Sequence, residues 1–343
     1  MSTHQPRLQT LAKLVPTLTP SLHKGDCGRI AVIGGCQEYT GAPYFAAHAS
    51  LRLGTDIAYV ICDRDAALAI KSYAPDLIVL PYLQSSRTEN IKKLADEAED
   101  NFGPFLKKAH AVSVGSGLGK NLLMLECAKR AIASAKANNT PIVLDADSLD
   151  IVCKHPDIIS GYPNAVLTPN PPEFVRLCKA LGIDPEAVES KDPAAKVHDA
   201  ARLLAQKLGG VTVVRKGSSD VITNGDRVFV CEEAGGLRRC GGQGDILSGA
   251  TVTFLAWGER YKLARENQSA DKKKQHAAAA SDGIDPKDIP MLASYAACML
   301  TRHASYLAYD ECGRSTQSSN ILEQVDISFD NKFEEVLKTI QPN

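Results

Sequence analysis

The feature that most limits what this chain can become is an alternation. Short, continuously apolar runs are each followed by a longer segment of helical spacing. Residues 29–33, 57–62, 77–80, 111–114, 141–144 and 165–167 are rich in Ile, Val and Leu and read as strands. Residues 43–53, 88–108, 121–136 and 192–208 have the Ala, Leu, Glu and Lys content of helices. Strands alternating with helices build βαβ units, and therefore a mainly parallel sheet with helices on both faces. Strands with no polar alternation, such as 57–62, fit a sheet buried on both sides. Three further strands, 211–215, 220–223 and 227–231, are separated only by Gly-containing turns, which predicts an antiparallel edge. The expected fold class is thus α/β, a three-layer αβα sandwich.

Length alone suggests about two domains for 343 residues. Motifs from both halves fall at strand ends that share one edge, so one large domain, 1–343, is expected instead. The excess length is assigned to an N-terminal arm (1–25), a polar insertion at about 259–288 and a C-terminal tail. The insertion is low in complexity, with Lys272–Lys274 and Ala277–Ala280. Helical spacing resumes at 291–307, residues 313–321 read as a polar linker, and 331–340 as a last helix.

Charge lends no support to two classes of function. Thirty-nine Lys and Arg against 40 Asp and Glu leave −1, which favours neither nucleic acid nor a membrane surface as partner. No apolar stretch reaches the roughly 18 residues of a membrane span. Ten scattered cysteines are far from the roughly 8–10% of a disulfide scaffold, and none has zinc-site spacing. Unpaired cysteines suit a reducing compartment, so the expected location is the cytoplasm. The first 25 residues hold Arg7, Lys13 and Lys24 and no acid, which keeps a mitochondrial transit segment as the alternative to a plain arm.

In an open α/β sheet, ligands bind beyond the carboxyl ends of the strands. The unusual residues cluster there: Gly34-Gly35, Gly115–Gly119, Asp145-Ala146-Asp147, Thr168–Glu173 and Arg215-Lys216-Gly217. The sharpest group is Gly241-Gly242-Gln243-Gly244-Asp245, directly before a helical stretch. Glycines let backbone approach a ligand, and the free N–H groups of a helix start favour an anion, most plausibly a phosphoryl group. Asp245 at its edge is placed to accept a proton from an attacking hydroxyl; the bland alternative is a helix cap. Lys216, Arg238 and Arg239 are read as the balance for phosphate charge. Gly115–Gly119 is neither a dinucleotide fingerprint nor a phosphate-binding Walker loop, and is left between a ligand loop and a plain turn. Asn170 and Glu173 straddle a Pro-Pro helix start, where Glu173 faces a hydrated Mg²⁺ or serves only as an N-terminal acid. Asp145 is left as support for metal or substrate, and Asp147 as a helix cap. His48, His110 and His303 lie in apolar or helical surroundings and are assigned to core or surface.

Six motifs in order carry a resemblance: residues 23–28, Gly34-Gly35, Gly115–Gly119, 144–149, 167–174 and 236–249. Gly-Gly-Gln-Gly-Asp-x-Leu-Ser-Gly at 241–249 resembles the anion-hole and base signature of the ribokinase-like superfamily. Asn-x-x-Glu at 170–173 is similar to that superfamily's magnesium motif. The whole set resembles the ATP-dependent NAD(P)H-hydrate dehydratase family in its eukaryotic form. The resemblance implies a lyase of nicotinamide cofactor repair. ATP phosphorylates the ring hydroxyl of the S epimer of hydrated NADH or NADPH, and phosphate is eliminated. It further implies that Gly117 and Asn170, Pro171, Pro172, Glu173, Phe174, Val175 and Arg176 contact the hydrated dinucleotide, with Asp245 at the reacting hydroxyl. Lys216, Gly217, Ser218, Ser219 and Asp220 would hold ATP together with Gly236, Leu237, Arg238, Arg239, Cys240, Gly241, Gly242, Gln243 and Gly244. Mg²⁺ would sit near Asn170 and Glu173, held indirectly. A separate NAD(P)H-hydrate epimerase is the implied functional partner, and a homo-oligomer is left open. A ribokinase-like kinase of a small-molecule alcohol shares the 241–249 loop and is the alternative; a non-catalytic nucleotide-binding regulator is the third reading.

Overall fold

Each central strand is apolar on both faces, and that decides the architecture. In β1 (Arg29–Ile33), Ile30 and Val32 enter one core while Ala31 and Ile33 enter a second, all fully buried. β2 (Ile57–Asp63) repeats this, with Ala58, Val60 and Cys62 on the first face and Tyr59 and Ile61 on the other. Such strands are stable only when covered on both sides. In the computed structural model, which describes residues 6–85, 89–185, 193–272 and 283–341, they are.

The sheet continues with β3 (Ile78–Leu83), β4 (Ala111–Val114), β5 (Ile142–Leu144), β6 (Ala165–Leu167), β7 (Thr212–Arg215), β8 (Asp220–Thr223) and β9 (Val228–Cys231). Its order is β3-β2-β1-β4-β5-β6-β7-β8-β9. Pairings from β3 through β7 are parallel, and β7–β8 and β8–β9 are antiparallel, as the Gly turns predict. The order reverses between β1 and β4, which makes their carboxyl ends a switch-point crevice.

Two helical layers close the sandwich. After the short α1 (Leu8–Ala12), the first face is covered by α2 (Gly41–Leu53) and α3 (Arg64–Tyr73). The second face takes α4 (Ile91–Leu106), α5 (Leu122–Ala137), α6 (Asp147–Lys154), α7 (Pro171–Ala180) and α8 (Pro193–Lys207). The chain then returns to the first face with α9 (Gln243–Lys272), α10 (Ile289–Cys312), α11 (Ser318–Glu323) and α12 (Val325–Ile340). Phe254, Trp257, Phe329 and Phe333 form an aromatic cluster that binds α12 to α9. α2 and α9 meet so closely that a Cβ on Gly249 would lie 2.1 Å from the Ala46 carbonyl oxygen. The last glycine of the 241–249 motif therefore serves helix packing.

Three local differences from the sequence reading have physical causes. α3 was not expected; Asp63 caps it by accepting the Asp65 N–H, and it buries only Ala66, Ala67 and Ile70. Part of the expected linker at 313–321 is α11, because Gln317 and Asn320 form a reciprocal capping box and Ile321 and Leu322 are buried. α9 begins three residues earlier than expected and runs into the segment read as an insertion, as far as Lys272. Residues 273–282 of that segment lie outside the described residues. Among the described residues, no helix is long and apolar enough to cross a membrane.

Candidate active site

β5 is followed directly by Asp145, which is 3% exposed and the hub of the site. Lys216, just past the end of β7, places its Nζ 3.0 Å from Asp145 Oδ1. From the second turn of α9, Ser248 donates its hydroxyl to Asp145 Oδ2 at 2.7 Å. Three elements distant in sequence are thereby tied together by one carboxylate. Burial pulls the Lys216 pKa down, but Asp145, Glu173 and Asp245 outweigh it and hold the amine above its ordinary value, firmly protonated.

α9 starts at Gln243, so Asp245 lies inside its first turn and not ahead of it. Gly242 has φ +100°, a left-handed turn that glycine takes without strain. The backbone N–H groups of Gly244 and Asp245 find no acceptor among the described residues. Free donors at the positive end of a 30-residue helix are an anion site. The Asp245 carboxyl is pushed up to about 7, first by burial and next by the charge of Asp145. Asp147 adds to the rise, while Ser116 and Lys216 oppose it. The Ser116 hydroxyl faces this carboxylate without making a hydrogen bond of full geometry. Asp245 is thus a group poised to exchange a proton near neutral pH.

Gly244, the residue before Asp245, lines a cavity of about 520 Å³. Lys216, Gly217, Ser218 and Asp220 line one wall, Arg239, Cys240, Gln243 and Gly244 a second, and Asn170 and Pro171 a third. α10 closes it with Cys298, Thr301 and Arg302. At the β1/β4 switch point, Ser116 belongs to a loop pressed onto the end of β1. A Cβ on Gly34 would lie 2.0 Å from the Ser116 carbonyl oxygen, and one on Gly117 (φ +62°) would lie 2.5 Å from that of Tyr39. Gly35 and Cys36 donate their N–H groups to the Ser116 and Gly117 carbonyls. Asp245 therefore follows a residue of the cavity wall and interacts with Ser116 of the glycine-rich loop after β4.

The structure gives several of the expected site residues partners and changes the role of Asp147. Lys216 is ion-paired with Asp145 and also lines the cavity. Asp220 turns its carboxylate to Arg302, which donates Nε to Oδ2 at 2.6 Å and Nη2 to Oδ1 at 2.8 Å. The same guanidinium takes the carbonyls of Gly217, Ser218 and Glu233, so it shapes the whole 216–220 turn. Arg302 was assigned no role by the sequence reading; the available signal was a guanidinium within an otherwise apolar helix. Asp147 does not cap α6: Ala146 holds that place, and Asp147 accepts the Gly119 N–H at 2.9 Å. Asn170 and Glu173 form a capping box, Asn170 Oδ1 taking the Glu173 N–H and Glu173 Oε2 taking the Asn170 N–H.

Of the 170–176 stretch, Asn170 and Pro171 line the cavity, Phe174 is buried in the core, Val175 is exposed and Arg176 pairs with Asp150. Pro172 is exposed at the helix start. Gly236 is buried so tightly that a Cβ would meet the Ser305 carbonyl oxygen, whereas Leu237 and Arg238 are exposed. Gly241 and Ser218 are exposed and Ser219 half-buried beside the cavity walls. His48, His110 and His303 do not line the cavity. His110 is half-buried and pushed down by burial to about 4, His48 pairs with Tyr44 and His303 with Ser328.

This geometry meets a family pattern. The model of the NAD(P)H-hydrate dehydratase family matches residues 30–304. The chain belongs to the NAD(P)H-hydrate dehydratase family. It is 38% identical to the ATP-dependent (S)-NAD(P)H-hydrate dehydratase of Schizosaccharomyces pombe, over 97% of this chain and 95% of that protein. It is 40% identical to the Rattus norvegicus protein of the same name, over 95% of this chain and 85% of that one. Among solved structures, an ADP/ATP-dependent NAD(P)H-hydrate dehydratase from Bacillus subtilis, co-crystallised with ATP and Mg²⁺, shares the fold. Its TM-score is 0.64 at 18% identity, covering 98% of this chain and 99% of that one. The hydroxyethylthiazole kinase of Pyrococcus horikoshii has TM-score 0.56 at 15% identity, covering 97% and 95%. The fold is therefore ribokinase-like.

Proposed function

We propose that this protein is an ATP-dependent (S)-NAD(P)H-hydrate dehydratase, with ATP in the 520 Å³ cavity and the hydrated nicotinamide ring in the β1/β4 crevice. The observation that carries the reading is the placement of Asp245. It is a carboxyl of near-neutral proton affinity, in the first turn of α9, beside free N–H donors and next to Gly244 of the cavity wall. Family membership supplies the substrate class.

The chemistry follows from that placement. Asp245 accepts the proton of the ring hydroxyl as its oxygen attacks the γ-phosphorus of ATP. The bond from that phosphorus to the β–γ bridging oxygen breaks, and ADP leaves. The donors at the α9 start face the transferring phosphoryl oxygens, where charge builds in the transition state. The ring C–O bond then breaks, phosphate carries away the electron pair, and the neighbouring ring carbon gives up a proton to restore the double bond. The products are NADH or NADPH, ADP and phosphate. The S epimer is the one in the names of the curated relatives, and a separate epimerase is the partner that would supply it from the R form.

Mg²⁺ fits this site in one way. Glu173 has one carboxylate oxygen in the capping box and the other without a hydrogen bond, and burial pushes its pKa up, which favours a cation beside it. No cluster of three ligating side chains exists among the described residues, so the ion would be held through water and ATP phosphates, near Glu173 and Asn170. Bound there, Mg²⁺ would screen the phosphate charge. The test is direct. Purified protein given ATP and hydrated NADH should regain the absorbance of the reduced nicotinamide and release phosphate. Accumulation of a stable phosphate ester would instead identify a kinase and refute the reading.

A further inference from the structure

Asp145, Asp245 and Glu173 compete for a single ammonium, that of Lys216. The competition is settled by geometry. Asp145 is 3% exposed, and both of its oxygens are in use, one on Lys216 at 3.0 Å and one on Ser248 at 2.7 Å. Ser248 also donates to the Gly244 carbonyl at 3.1 Å, which locks the hydroxyl to the anion-binding turn of α9. Lys216 makes its ion pair with Asp145 and none with Asp245 among the described residues. A Cβ on Gly244 would lie 3.4 Å from Lys216 Nζ and 3.8 Å from Asp145 Oδ2. The ammonium therefore rests against the residue preceding the base.

We propose that Asp145 is a positioning residue for the reaction: it anchors Lys216 away from Asp245 and leaves that carboxylate free to meet the substrate hydroxyl. This rests on the reading of Asp245 as the base. Without the Asp145 charge, Lys216 would turn to the nearest remaining carboxylates, and an ion-paired Asp245 is a poor acceptor. The groups that act most strongly on Asp245 are Asp145 after β5, Ser116 from the loop after β4, Lys216 after β7 and Asp147 from α6. Two of them have opposite signs and touch each other, so removing either one moves Asp245 in a predictable direction.

The test is the pH dependence of turnover in three variants, each checked for thermal stability and for KM of ATP. Activity requires ionised Asp245, so the wild-type rate rises with pH through an acid limb. Asp145→Asn removes a negative neighbour and frees Lys216. Its acid limb should move down by about one pH unit, and its kcat at neutral pH should fall at least about tenfold. Lys216→Met removes the positive neighbour, and its limb should move up. Ser248→Ala loses the second anchor but no charge, and its limb should stay within about 0.3 of wild type. A limb unmoved in folded Asp145→Asn overturns the proposal. So does a Lys216→Met shift in the same direction, or a Ser248→Ala shift as large as that of Asp145→Asn. If Asp145→Asn does not fold, an upward shift in Lys216→Met beside an unmoved limb in Ser248→Ala still decides. Failure of the wild-type protein to restore reduced nicotinamide would sink the underlying function, whereas an active wild type with unmoved limbs sinks only the role of Asp145.

Discussion

Asp245→Asn should abolish turnover and make the protein more stable, and the size of the second effect follows from the structure. The Asp245 carboxyl is raised from its ordinary 3.8 to about 7 in the fold. A raised acid holds its proton more tightly when folded, so stability is full below 3.8 and is lost as pH rises through about 7. At 1.36 kcal/mol per pH unit, the ionised aspartate costs the folded state at most about 4 kcal/mol above neutrality. Asparagine has nearly the same shape and cannot ionise. For 343 residues, the unfolding entropy is about 0.7 kcal/mol per kelvin, so relief of half to all of that cost raises Tm by about 3–6 °C. The assay is thermal unfolding of both proteins from pH 4 to pH 9. Their difference should be near zero at the acid end and full by pH 8. In parallel, turnover should fall by roughly 10²–10⁴-fold while ATP still binds. A variant no more stable than wild type at pH 8, or one whose advantage does not change with pH, would refute the idea that Asp245 is buried against its own charge.

Gly117→Ala places a Cβ at φ +62° and 2.5 Å from the Tyr39 carbonyl oxygen; it should raise KM for the hydrated dinucleotide several-fold while KM for ATP stays near wild type. Arg302→Met leaves Asp220 buried without its partner and frees the carbonyls of Gly217 and Ser218. A loss of about 3–5 kcal/mol in denaturant unfolding and weaker ATP binding are expected. Asn170→Ala removes half of the capping box of α7 and should cost about 1 kcal/mol, whereas Asn170→Asp should keep most of it. Removing Mg²⁺ with a chelator should weaken ATP binding at least about tenfold in a calorimetric titration, since the ion would be held chiefly by ATP phosphates.

Much of the fold was legible because strand periodicity is a short-range property. Ile30 and Val32 against Ala31 and Ile33 tell a reader of the sequence that β1 is covered twice. The antiparallel edge was legible for the same reason, since its turns carry their own glycines. Ion pairs between distant elements were not. Asp145 and Lys216 are 71 positions apart, and Asp220 and Arg302 are 82 apart. Nothing local marks which carboxylate an ammonium will choose once the sheet brings them together. Asp147 shows the same limit at short range. An acid before a helix reads as a cap, but Ala146 occupies that place and the Asp147 carboxylate reaches the Gly119 N–H, 28 positions earlier. α11 was hidden by polar composition, because its cap uses Gln317 and Asn320 while only a few of its residues are buried.

These pairings change how two anionic ligands can share the site. Read from the sequence, Lys216, Arg238 and Arg239 supply the positive charge, and a near-zero net charge of −1 hides it. In the structure, Lys216 answers to Asp145 and Arg302 to Asp220, so neither brings an unspent charge into the cavity. In the proposed site, Arg239 and the free N–H groups at the start of α9 are what would face the phosphates. A transition state with charge spread over phosphoryl oxygens gains most from fixed dipoles that need not reorganise. A ground-state nucleotide gains most from mobile full charges. The committed cations and the oriented helix terminus thus favour the transferring phosphoryl group over the resting nucleotide, which is the preference a catalyst needs.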